Sequence, residues 1–343
     1  MRVLVCTQAV DQDDRALGFF HRWLEEFATT FDAIEVICLK EGRHALPGNV
    51  HVHSLGKETA PSRWKYVRNF FYYAWTLRHE YDAVFVHMNQ EYAVMGGIMW
   101  RLLGTRIVMW RNHKKGNVLT DVACVLATDV CYTSPESYVA SKPGAHQMPI
   151  GIDTEQFHLS VAPAPLDTVL FLGRLDPVKK PEVFLSAVEI LAHEAINCRV
   201  DGYGDPTDPE ATHVPKVREQ ILGLEARHAL QWHSGISHEQ TPDIYRAHAI
   251  YVNITPSGSF DKTIGEAMAS GCMVVAANEV VRDIVPAAHM VDPDLPEDVA
   301  RGIESALMLS PEDREEVVRK SVSFIEREHS LKALMGGLAK LLQ

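Results

Sequence analysis

Phe171-Leu172-Gly173-Arg174-Leu175-Asp176-Pro177-Val178-Lys179-Lys180-Pro181 closes an apolar run, turns at a glycine, carries spaced cations and feeds the helical pattern Val183, Phe184, Ala187, Val188, Ile190, Leu191. A strand that ends in Gly-Arg and passes quickly into a helix is the βα unit of a parallel α/β sheet. Glycine lets backbone approach a ligand closely, Arg174 can clamp two phosphate oxygens, and Lys179 adds a point charge near the helix start, where free amides also favour anions. The pattern suits a diphosphate. Taken alone, it also reads as a tight turn with solvated cations.

A second block, Ile254-Thr255-Pro256-Ser257-Gly258-Ser259-Phe260-Asp261-Lys262-Thr263-Ile264-Gly265-Glu266-Ala267-Met268-Ala269-Ser270-Gly271, is a small-residue loop that runs into a short helix. Amides at its N-terminus can donate to phosphate or sugar oxygens, and Glu266 on the helix can accept from a ribose diol. The two blocks together disfavour a merely solvated Glu266.

Outward from these blocks the same rhythm recurs. Apolar runs at 169–172, 197–201, 230–233, 250–254 and 273–276 alternate with helical patterns. An earlier series at 3–6, 34–39, 50–54, 83–87, 107–110 and 130–133 does likewise, with an amphipathic segment at 17–29 completing the first βα unit. Alternation of this kind predicts α/β architecture with two parallel, Rossmann-like sheets, each covered on both faces. The Pro-rich stretch Val161-Ala162-Pro163-Ala164-Pro165 marks a linker between them. Open α/β sheets bind ligands beyond the carboxyl ends of their strands, so a cleft between the halves is the expected site.

A chain of 343 residues is long enough for two cores. Its net charge of −12 argues against general nucleic-acid affinity. The six cysteines sit mostly in apolar runs without a C-x-x-C pair and read as buried thiols. No apolar run is long enough to cross a bilayer, and Met1-Arg2 leads straight into a strand, so the expected location is the cytoplasm.

Gly173-Arg174-Leu175 with Lys179, Asp201-Gly202-Tyr203-Gly204-Asp205, Ser234-Gly235-Ile236-Ser237 and Glu266-Ala267-Met268-Ala269-Ser270-Gly271 resemble the donor half of retaining GT-B glycosyltransferases of the "group 1" family, glycosyltransferase family four. Pro149-Ile150-Gly151-Ile152-Asp153-Thr154-Glu155-Gln156-Phe157 resembles that family's hinge signature. The resemblance implies an acceptor-side domain over 1–157, a donor domain over 158–320 and a final helix, 321–343, that crosses back onto the first domain. It also implies that Arg174 and Lys179 hold the donor diphosphate and Glu266 the ribose, with Gly173, Gly202, Gly204, Gly235 and Ile236 lining the nucleotide. Ser259, Phe260, Asp261, Lys262 and Thr263 would lie along the sugar and phosphates. The family's usual sugar-binding glutamate eight positions before Glu266 is replaced by Gly258, leaving Asp261 or the neighbouring amides to take its part. In the first half, Gly18 would bring backbone to the donor, and His113 would face sugar and acceptor beside Arg174 and Lys179 as a catalytic group.

The resemblance implies transfer of a hexosyl unit from a UDP- or GDP-linked sugar to the hydroxyl of a carbohydrate or lipid-linked acceptor in glycan, glycolipid or envelope polysaccharide synthesis. Retention and independence of metal and other cofactors are expected, with hinge motion near 149–157. A nucleotide-sugar-binding protein with weak or no catalysis, a GT-B epimerase and a phosphate-requiring phosphorylase stay open as alternatives, and the sequence sets no oligomeric state. The D-x-D pattern in Asp11-Gln12-Asp13-Asp14 and the pair His51 and His53 read as ordinary acidic loop and strand residues, not metal ligands. Arg63-Trp64-Lys65-Tyr66-Val67-Arg68-Asn69-Phe70-Phe71-Tyr72-Tyr73-Ala74-Trp75 carries aromatics on two helical faces. One face is core; the other predicts either a second buried face or peripheral contact with a membrane.

Overall fold

The computed structural model describes residues 1–14, 17–59, 62–160 and 162–343, so Val161 of the Pro-rich linker lies outside the described residues. Two compact units emerge: Met1–Gly151 together with Leu331–Gln343, and Ile152–Ser330.

The first unit runs β1 (Arg2–Val10), α1 (Phe19–Thr30), β2 (Ala33–Glu41), β3 (Val50–Ser54), α2 (Arg63–Thr76), β4 (Ala83–His87), α3 (Gln90–Leu102), β5 (Arg106–Trp110), α4 (Val118–Leu126), β6 (Asp129–Tyr132) and β7 (Ala145–Gln147). Its sheet is parallel throughout, in the order β3-β2-β1-β4-β5-β6-β7. β1 is buried on both sides: Val3 and Val5 enter one core with Phe20, Trp23, Leu24 and Phe27 of α1, and Leu4 and Cys6 enter the other with residues of α2, α3 and α4. That two-sided burial is why its run is continuously apolar instead of alternating. β7 was not anticipated, because Ala145-His146-Gln147 is short and polar; it is an edge strand, held by its ladder to β6.

The second unit runs β8 (Thr168–Leu172), α5 (Pro181–His193), β9 (Arg199–Tyr203), α6 (Val214–Ala226), β10 (Gln231–His233), α7 (Thr241–Arg246), β11 (Ile250–Asn253), α8 (Lys262–Ala269), β12 (Met273–Ala276), α9 (Pro296–Leu307) and α10 (Pro311–Phe324). The parallel order β10-β9-β8-β11-β12 reverses direction between β8 and β11. A reversal opens a crevice beyond the carboxyl ends of those two strands. Leu172 and Asn253 therefore mark its edges.

The last helix, α11 (Leu331–Leu342), buries Leu331, Leu334, Met335, Leu338 and Leu342 in the core built on α1. One continuous helix over 321–343 is not formed. α10 passes into a π-helical turn, Ile325–His329, and the path breaks at Ser330, where Ile152 bridges Ser330 and its amide donates to the His329 carbonyl (2.9 Å). The boundaries at 157 and 320 shift accordingly to 151 and 330. Phe157 belongs with the second unit because its ring packs on His238 and Tyr245.

Helix α2 also departs from the doubly buried alternative. Phe70 and Ala74 are buried, whereas Trp64, Phe71, Tyr72 and Trp75 are exposed. The aspartates near the start of the chain are engaged by cations, Asp11 by Lys40 and Asp13 by Arg43, and His53 sits 2.6 Å from Glu35. All six cysteines are free thiols. Among the described residues, no helix is long and apolar enough to cross a membrane.

Helix α11 offers a matched pair of stability tests. Leu338 is fully buried, so Leu338→Ala is expected to cost about 2–5 kcal/mol. A Cβ at Gly336 meets nothing within 4 Å, so Gly336→Ala is expected to add about 0.5–1 kcal/mol. Urea unfolding of both variants measures the difference.

Candidate active site

Three loops meet beyond the carboxyl ends of β8, β9 and β10. The Gly173 amide donates to the Tyr203 carbonyl (3.0 Å), the Leu175 amide to that of Asp205 (3.1 Å), and the Gly204 amide to that of His233 (3.1 Å). Gly204 is required by closeness: a Cβ there would lie 1.9 Å from the Gly173 carbonyl oxygen. At Gly202 a Cβ would strike the Trp232 ring at 2.2 Å, while Trp232 Nε1 donates to the Gly204 carbonyl (3.1 Å). Both glycines thus have a packing reason to be glycine. The Gly235 amide donates to Asp205 Oδ2 (3.1 Å), with the half-buried Ile236 next to it.

Lys179 Nζ pairs with Asp261 Oδ2 and lies over Gly173, whose added Cβ would be 3.5 Å from Lys179 Cδ. Asp261 is the N-cap of α8, and it also accepts from Asn253 Nδ2 (3.1 Å), Thr255 Oγ1 (3.3 Å), Thr263 Oγ1 (3.0 Å) and the Thr263 amide (3.3 Å). Burial would push its carboxyl up, but Lys179, Asn253 and Thr263 outweigh that and hold it well below the ordinary carboxylate range. Arg174 is half exposed; its guanidinium meets Thr207 Oγ1 (3.2 Å) and Asp176 (3.2 Å). Burial opposes ionisation of Asp176 as well, and the hydroxyl and amide of Thr207 with Arg174 prevail to lower its pKa. Both phosphate-binding candidates are therefore held by aspartates, which orients them and tempers their charge.

Glu266 is buried on α8, with His238 Nε2 at 3.0 Å and the Tyr245 hydroxyl donating at 3.4 Å. A carboxylate that is almost removed from water yet keeps polar partners on one side is suited to receive a diol. Beside it, burial pushes the Lys262 ammonium down to about 7, against the pull of Glu266 and Asp153. Asn278 Nδ2 donates to the Ser259 carbonyl (2.8 Å), shaping the loop before α8. The Phe260 side chain does not face a ligand crevice: it is buried against Phe324 and His329, so its ring is a packing group and only its backbone remains available to a ligand.

In the first unit, Gly18 begins α1, and a Cβ there would lie 2.8 Å from the carbonyl oxygens of Gln12 and Asp14, so the tight approach needs glycine. His113 is exposed just after β5. Its Nδ1 lies 2.9 Å from the Lys115 carbonyl oxygen and 3.0 Å from the Lys115 amide, so the loop after β5 folds back on the ring.

The structure adds residues that the sequence reading passed over. Asn253 joins Asp261 to the end of β11, and Asp176 holds Arg174. His238 and Tyr245 face Glu266. Asn253 had a visible signal, a polar side chain ending an otherwise apolar strand, and Asp176 stands beside Arg174 in the same motif; His238 and Tyr245 lie far from Glu266 in sequence.

Residues 167–308 match the family model described as "Glycosyl transferases group 1". The matched stretch lies within the second unit. A D-inositol 3-phosphate glycosyltransferase of Streptomyces griseus is 30% identical over 112 residues, covering 32% of this chain and 24% of that protein. Its counterpart in Streptomyces coelicolor gives the same figures. The match thus spans about a quarter of these curated relatives. Among solved structures, HepE of Anabaena in complex with UDP has a TM-score of 0.77 at 18% identity, covering 100% of this chain and 99% of that one. Sucrose-phosphate synthase of Thermosynechococcus elongatus gives 0.77 at 17%, covering 99% and 98%. These likenesses establish the fold as GT-B, with two Rossmann-like units.

Lys262 makes a pH test available. Between about 7 and the ordinary 10.5 the folded ammonium is neutral while the unfolded one is charged, so the unfolded state binds more protons and stability rises with pH across that window. Below 7 both states are charged and the full burial penalty applies. Chemical unfolding of wild type and Lys262→Met from pH 7 to 10 is expected to show the rise in wild type and its loss in the variant.

Proposed function

We propose that the protein transfers a hexosyl unit from a nucleoside diphosphate sugar to an acceptor hydroxyl. The observation that carries this reading is the gathering of Gly173, Lys179, Asp261 and the α8 N-terminus at the β8/β11 switch point. Lys179 and Arg174 take the diphosphate, Glu266 takes the ribose, and the backbone around Gly204 and Gly235 lies along the base. The solved HepE structures, which include complexes with UDP, with UDP and glucose, and with UDP-glucose, favour a uridine nucleotide as donor.

In the proposed reaction the bond between the sugar's anomeric carbon and the diphosphate oxygen breaks, and a bond to the acceptor oxygen forms on the same face. The acceptor proton passes to the leaving phosphate. Negative charge grows on the diphosphate as it departs, and preset cations and helix amides stabilise it without reorganising. This supports a metal-independent transfer. As the phosphate engages Lys179, Asp261 becomes available to a sugar hydroxyl, the part that Gly258 has no side chain to play.

Gly258 also favours a second reading, a protein that binds nucleotide sugar with little turnover. A thermal-shift series with UDP, GDP and ADP and their sugar conjugates, with and without EDTA, followed by product analysis, separates the two. Stabilisation by one nucleotide family despite EDTA, with sugar transferred to an acceptor, supports the enzyme; binding without product supports the second reading. Lys179→Ala and Arg174→Ala are each expected to weaken nucleotide binding about tenfold or more and to slow transfer. Unchanged affinity and turnover in both variants would overturn the phosphate assignment.

A further inference from the structure

Helix α2 has one buried face, built on Phe70 and Ala74, and one face with no protein partner among the described residues. The outward face carries Trp64, Arg68, Phe71, Tyr72 and Trp75, the positions that a helix brings onto one side at spacings of three and four. Trp64 is 86% exposed, Tyr72 62% and Trp75 52%. Large aromatics concentrated on a single exposed face mark an interaction surface.

Charge selects the occupant. The chain carries a net −12, yet no Asp or Glu occurs from 59 to 79, and α2 contributes Arg63, Lys65 and Arg68. Lys65 turns aside to Thr59 (2.8 Å), and Arg78 lies 4.3 Å over the Trp75 ring. Arg68 on the outward face and Arg63 in the first turn are exposed with no carboxylate partner among the described residues. A second copy of this chain fits poorly, because a two-fold contact would set these cations against themselves. A surface that is anionic outside and apolar beneath fits well: indole and phenol rings settle at headgroup depth while guanidinium groups stay with the phosphates.

We propose that the outward face of α2 docks the protein onto an anionic lipid surface, lying in the interface plane without crossing it. Leu102 of α3 and Val125 of α4, whose helices share a core with α2, are also strongly exposed. The proposal rests on the first unit alone and is independent of the donor chemistry assigned to the second.

Flotation of the full chain with vesicles of phosphatidylcholine mixed with phosphatidylglycerol, against vesicles of phosphatidylcholine alone, tests it. Wild type is expected to float with the anionic vesicles, to bind the neutral ones more weakly, and to lose binding as salt is raised. Trp64→Ser with Trp75→Ser, and separately Arg63→Glu with Arg68→Glu, are each expected to weaken vesicle binding about tenfold or more. Because these side chains are exposed, both variants are expected to melt as wild type does and to keep any nucleotide-induced thermal shift. Wild type that stays unbound, variants that float equally well, or a concentration-dependent dimer abolished by the Trp substitutions without vesicle binding would each overturn the proposal.

Discussion

The carboxylate of Asp261 is the point on which the second unit's site depends. It is buried, and burying an anion is costly unless donors replace the lost water. Lys179 from the loop after β8, Asn253 from the end of β11, Thr255 from the following loop, and the amide and hydroxyl of Thr263 on α8 supply them. A single group thus ties together the two strands at which the sheet reverses and the helix that starts above them. It also fixes the position of Lys179, the cation assigned to the diphosphate in the proposed function.

The surrounding architecture explains why such a network is tolerated there. Parallel strands buried on both faces place their polar chemistry at strand ends, because the strand bodies must be apolar to serve two cores. Asn253 is the residue at which β11 stops being core and becomes site. Gly202 and Gly204 perform the matching task on β9, where an indole and a carbonyl come too close for any Cβ. Helix dipole, cation and glycine loop then act on one small volume.

Charge has a different organisation in each unit. In the second, Arg174 and Lys179 are held by Asp176 and Asp261, so positive charge is localised and partly neutralised. In the first, the exposed Arg63 and Arg68 of α2 have no carboxylate partner among the described residues and share the helix with exposed aromatics, so charge and apolar area are presented together. The overall charge of −12 describes neither place. Local arrangement is what a phosphate or a headgroup meets.

Sequence by itself determined the α/β class and the repeated parallel sheets, and it singled out Gly173, Lys179 and Glu266 as candidates, because strand burial, helix periodicity and glycine turns are local properties written in adjacent residues. It also identified the two aromatic stripes of α2, since helical spacing is local too. Tertiary structure alone decided which stripe is covered, because burial depends on neighbours from β1, α3 and other distant segments. The same holds for the pairing of Lys179 with Asp261, the inward turn of Phe260 against Phe324, and the break at Ser330 that returns α11 to the first unit. Each of these joins residues far apart in the chain, or depends on the space left by others, and no short-range pattern encodes such a contact.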